Sequence, residues 1–115
     1  MNEKICIQVR TSTSYEAVDM FKYLYEHFLK DEKFAYAEIF YNKRLGLYLD
    51  SKDSENWPLQ IFTMSGIRIS VFSVTAGYGG SGPMDMKAIL DKCGFKDTDQ
   101  VLTSNGDIVH LKLYP

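Results

Sequence analysis

Four glycines in six positions, within Gly77-Tyr78-Gly79-Gly80-Ser81-Gly82, are the residues whose type and spacing point most directly to chemistry. They follow the most strand-like run of the chain, Ile67 to Thr75, and lead through Pro83 into a helical pattern, Met84 to Cys93. Glycine gives up side-chain packing, and what it offers in return is backbone freedom and close approach. A glycine loop that opens a helix presents free N–H groups beside the positive end of the helix dipole, which suits an anion. The expected occupant is an anionic, nucleotide-like small molecule. Tyr78 would stack on it, Ser81 would add a hydroxyl, and Arg10, Arg44 or Arg68 would neutralise its charge. The plainer alternative is a sharp corner in which the glycines serve only the turn.

Gly77-x-Gly79-x-x-Gly82 matches the dinucleotide fingerprint in form only. That fold needs consecutive βαβ units, too little chain follows the loop to build them, and Pro83 starts the helix after the last glycine. No Gly-Lys-Ser/Thr follows, so the loop is not a P-loop. Nucleophilic catalysis lacks a Gly-x-Ser-x-Gly elbow, and two histidines, His27 and His110, supply no evident base for Cys6 or Cys93. The same four residues lack zinc-ligand spacing, and Asp97-x-Asp99 lacks the glycine and glutamate of a calcium loop. The expectation is a non-catalytic protein with no metal and no cofactor.

The elements that must position this loop follow from hydrophobic period. Ile5, Ile7 and Val9 alternate with polar neighbours, as in a half-buried strand. Thr13 and Glu16 form a capping box that opens a helix to about Lys30. Its apolar stripe is Ala17, Phe21, Leu24 and Phe28, widened by Met20 and Tyr25. Phe34–Tyr41 and Arg44–Asp50 read as a hairpin, and Leu59–Met64 and Ile67–Thr75 as a second one around Ser65-Gly66. Gly94 ends the second helix as a left-handed cap, with Phe95 folding back on Leu90. Val101–Thr103 and Ile108–Tyr114 flank Asn105-Gly106, a hairpin signal.

The element order β-α-β-β-β-β-α-β-β implies one α+β domain over residues 1–115. A mainly antiparallel sheet of about five to seven strands carries two helices on one face.

Composition bounds the rest. Of 115 residues, 45% are hydrophobic and 24% charged, the balance of a soluble globular protein. A net charge of −2 offers no bulk attraction to nucleic acid or an anionic membrane. No run reaches the length of a membrane span, and Met1-Asn2-Glu3-Lys4 leads into a strand pattern rather than a leader. Cytoplasmic residence with reduced Cys6 and Cys93 is therefore expected. Tyr36, Tyr48, Phe72 and Val74 make the sheet's outer face too apolar to be wholly wet, so a homodimer covering it is expected. The second functional reading is a stoichiometric interaction module of inhibitor or immunity type. It would meet its partner through Tyr36, Tyr48, Trp57 and Phe72, on the sheet face or the Ser51–Pro58 loop.

Overall fold

The computed structural model describes residues 5–40, 54–76, 79–103 and 110–115. Strand β1 (Ile5–Val9) leads into helix α1 (Ser14–Leu24), which continues as a π-helical turn (Tyr25–Leu29). Strand β2 (Phe34–Phe40), a 3₁₀ turn (Ser54–Asn56) and strands β3 (Leu59–Thr63) and β4 (Ile67–Val71) follow. Helix α2 (Ser81–Lys92), a second 3₁₀ turn (Thr98–Leu102) and strand β5 (His110–Leu113) complete the chain.

The fold is α+β, with a five-stranded mixed sheet in the order β1-β4-β3-β2-β5. Four neighbours form three antiparallel pairs, while β1 runs parallel to β4. The register aligns apolar residues in two rows across all five strands. One is Ile7, Ile69, Ile61, Ala37 and Leu113; the other is Val9, Val71, Leu59, Ile39 and Leu111. Alternation puts both rows on one face. Ala17, Phe21, Leu29, Met86, Ile89 and Leu90 join them in the core. Burial of these side chains at roughly 1.5–3 kcal/mol each is the main force holding the two layers together.

Three local features follow the sequence closely. Thr13 caps α1, and the capping box with Glu16 closes in both directions. Gly66 sits at φ 101° between β3 and β4, where its amide donates to the Thr63 carbonyl. Gly94 at φ 84° ends α2, and the Phe95 amide turns back to the Leu90 carbonyl at 3.2 Å.

Four features depart from it. Val101 and Leu102 lie in a 3₁₀ turn, not a strand; Asp97 enters it in a left-handed conformation at φ 59°. Helix α2 starts at Ser81, so Pro83 is its third residue. β4 ends at Val71, four residues short of Thr75. The α1 stripe shifts phase: the Lys30 amide bonds to the Tyr25 carbonyl at 2.9 Å, an i to i+5 closure. One extra residue in the turn moves the buried position from Phe28 to Leu29. Leu29 is 0% exposed and Phe28 65% exposed. The expected strand Arg44–Asp50 and the Asn105-Gly106 turn lie outside the described residues.

The phase shift has a direct check in urea unfolding. Leu29→Ala is expected to cost about 2–5 kcal/mol, as for a buried leucine. Phe28→Ser is expected to stay within about 0.5 kcal/mol of the parent. The reverse ranking would restore the uninterrupted helix.

Candidate functional site

Because β1 and β4 run in parallel, both end at the same edge of the sheet, and both lead towards helices from there. The two connections are tied together at this crest. The Thr11 amide donates to Ser73 Oγ, and that hydroxyl donates to the Thr11 carbonyl. One turn further on, Ser14 Oγ donates to Asp85 Oδ2 at 2.5 Å, which joins the start of α1 to α2.

The two helix starts differ chemically. At α1, Glu16 Oε1 accepts from the Thr13 amide at 3.0 Å and the Thr13 hydroxyl at 2.9 Å, while Thr13 Oγ1 accepts from the Glu16 amide at 3.3 Å. That end is closed. At α2 the N-cap is Gly80, which has no side chain to cap with, and no acidic residue occupies the first turn. The Met84 amide bonds to the Gly80 carbonyl at 3.1 Å, and Pro83 has no N–H. The Ser81 and Gly82 amides are left with no bond to a described residue.

The glycines are not consumed by the turn. Gly79, Gly80 and Gly82 all lie outside the left-handed region, with Gly80 extended at φ 176°. A Cβ built on Gly79 would meet nothing within 4 Å. Among the described residues, neither conformation nor crowding demands glycine at position 79.

The expected site residues separate into groups. Gly79, Gly80, Ser81 and Gly82 stand together at the α2 start; Gly77, Tyr78, Arg44 and Tyr48 lie outside the described residues. Arg10 follows β1, with its guanidinium 4.8 Å above the Phe72 ring, and Trp57 meets Phe72 edge-on at 5.4 Å. Arg68 does not join them. It is paired in register with Cys6, near the far end of β1, and its Nη2 donates to Cys6 Sγ at 3.1 Å. Trp57, expected as a contact residue, is 2% exposed and belongs to the interior.

The sheet face opposite the helices is partly covered by the chain itself. Gln60 Nε2 donates to the Ser54 and Trp57 carbonyls at 2.6 and 3.1 Å, and Gln60 Oε1 accepts from Ser70 Oγ at 2.5 Å. This fixes the Ser54–Asn56 turn and Trp57 over the middle of the sheet. Nearer β5, Tyr36 stacks on Phe62 at 4.6 Å with Lys112 Nζ 4.2 Å above it, and Phe40 stacks on His110 at 5.0 Å. His110 Nε2 also meets Glu38 Oε2 at 2.8 Å.

Sequence reasoning missed the Thr11–Ser73 and Ser14–Asp85 ties. Both depend on the parallel pairing, for which a sequence of hairpin signals gives no clue. Among the described residues no group of His, Cys, Asp and Glu gathers as metal ligands, and no helix is long and apolar enough to cross a membrane.

The two cysteines differ in environment. Cys6 is exposed, whereas burial pushes the Cys93 thiol up to about 12. Titration with a thiol reagent at pH 8 is expected to label one cysteine rapidly in the native protein and both in denaturant. Mass mapping that finds Cys93 labelled first would contradict this geometry.

Comparison with protein-family models, with curated proteins and with solved structures found no match.

Proposed function

We propose that this chain is a small, non-catalytic ligand-binding protein that holds an anionic group, of a phosphate-bearing or nucleotide-like molecule, at the start of α2. The observation that carries this reading is the open first turn. Gly80 supplies no cap, and the Ser81 and Gly82 amides have no partner among the described residues. Glycine at position 79 keeps the approach clear, since no described residue fills the space its Cβ would take. Aligned N–H groups at a helix start favour an anion through both hydrogen bonding and the dipole. Arg10 is stacked on Phe72 on the sheet face opposite the helices, so the amides and not an arginine carry this reading.

A second reading, a stoichiometric protein-interaction module of inhibitor or immunity type, is supported by the half-exposed Tyr36–Phe62 stack under Lys112. Trp57 has no part in it, because it is buried. A Tyr36→Ser variant that still captures the same partner from native extract would remove this reading.

The ligand reading is tested by thermal shift with millimolar pyrophosphate, ADP and a sugar phosphate. A ligand at a hundredfold excess over its Kd stabilises by about 2.7 kcal/mol, so a clear rise in Tm is expected. Ser81→Pro removes one donor at a first-turn position where proline fits. It should abolish the rise while leaving the ligand-free Tm unchanged. No rise with any of the three, or an equal rise in Ser81→Pro, would overturn the proposal.

A further inference from the structure

We infer that two copies of this chain associate through the open edges of their β1 strands, antiparallel about a twofold axis at Ile7, with their α1 helices meeting above the joined strands. β1 is an outermost strand of the sheet, and among the described residues nothing pairs with its outer side. An open edge of this kind is a template for another strand unless charge, proline or a bulge blunts it. Ile5-Cys6-Ile7-Gln8-Val9 has none of these, and Ile5 is 53% exposed. At the opposite edge, β5 carries His110 and Lys112.

The direction of the free groups follows from one bond. The Phe72 amide donates to the Val9 carbonyl, so Val9 turns its backbone polar groups towards β4. Alternation then turns those of Ile7 and Ile5 the same way, and those of Cys6 and Gln8 outward. Antiparallel pairing centred on Ile7 sets Cys6 against the partner's Gln8, and Gln8 against the partner's Cys6. Each pair exchanges its N–H and C=O. Ile7 faces the partner's Ile7, and Ile5 faces the partner's Val9. No charged side chain opposes a like charge within the segment, so the edge is complementary to itself.

The helix above this edge continues the surface. α1 packs against α2 on one flank, through Ser14 on Asp85, Glu26 near Lys92, and Lys92 over the Tyr25 ring. Ala17 and Phe21 point into the core. Met20 and Tyr23 therefore occupy the flank turned away from α2, and they are 51% and 61% exposed. With Thr11, Glu16 and Asp19 they line a groove of about 540 Å³ beside the end of β1. Five strand residues and eleven helix residues span similar lengths, each about 16 Å. The middle of α1 is Asp19, and Met20 stands exposed beside it. Strand pairing supplies direction, and the exposed Met20, Tyr23 and Ile5 add apolar surface beside it.

Light scattering behind size exclusion, at tens to hundreds of micromolar protein, is the test. The wild type is expected at twice 13.2 kDa. Gln8→Pro deletes an outward donor without touching the β1–β4 ladder, and Met20→Lys places charge on an already exposed position. Each should yield a monomer with an unchanged circular dichroism spectrum. Hydrogen exchange adds a readout of register: the Cys6 and Gln8 amides should be protected in the dimer and exchange rapidly in Met20→Lys. A monomeric wild type at the highest concentration would overturn the inference. So would a dimer that survives both substitutions, or one whose Cys6 and Gln8 amides exchange freely. If Gln8→Pro fails to fold, Met20→Lys and the exchange data decide alone. None of these outcomes depends on whether α2 binds an anion.

Discussion

The parallel ladder between β1 and β4 is the constraint from which the rest of the molecule follows. Two parallel neighbours cannot be joined by a turn, so the chain must cross from the end of one to the start of the other. Here the crossing takes α1, β2 and β3 before β4 returns beside β1. Both strands then finish at the same edge, and the chain leaves both towards a helix on the same side. A sheet made only of hairpins would have no reason to gather two helix starts at one crest. The Thr11–Ser73 and Ser14–Asp85 hydrogen bonds are consequences of that geometry, and they hold the two connections in one arrangement.

At that crest the two helices solve the same problem differently. A helix start leaves amides without intrahelical partners, and Thr13 with Glu16 satisfies the Glu16 amide and the N-cap amide of α1 by side chains. Substituting such a cap by alanine typically costs about 0.5–2 kcal/mol. Gly80 forgoes this contribution at α2, and Pro83 removes one orphan donor. The start of α2 thus offers an outside acceptor amides that no described residue bonds, with no side-chain cap to compete for them.

Much of the architecture was legible in the sequence because local signals decide it. Thr13-x-x-Glu16, Ser65-Gly66 and Gly94 act within four or five residues, and each took the expected geometry. The alternation of Ile5, Ile7 and Val9 placed them on the core side, and both Arg10 and Arg68 fell on the other. What was not legible depends on distant partners. Strand order, and the parallel pair with it, is set by which apolar rows can be aligned across the whole sheet. The π turn is invisible to a stripe analysis that assumes a constant period, so Phe28 was assigned the place that Leu29 holds. Trp57 follows a polar window and reads as a surface aromatic. Only the fold shows that its carbonyl is held by Gln60 and its ring set against Phe72.

Gln60 also explains why the face opposite the helices is not simply a solvated one. A buried amide is stabilising only where each of its polar groups finds a partner, and this one has three: the Ser54 and Trp57 carbonyls and the Ser70 hydroxyl. Replacing it by leucine would keep the volume but leave those groups to find other partners, at about 1–3 kcal/mol for each left unsatisfied. The network therefore specifies where the Ser54–Asn56 turn rests, which an apolar contact of equal area would not do. With that turn fixed, Trp57 covers the middle of the sheet. The aromatic residues nearer β5 stay half exposed, and the division between the covered and the open part of this face traces to a single buried side chain.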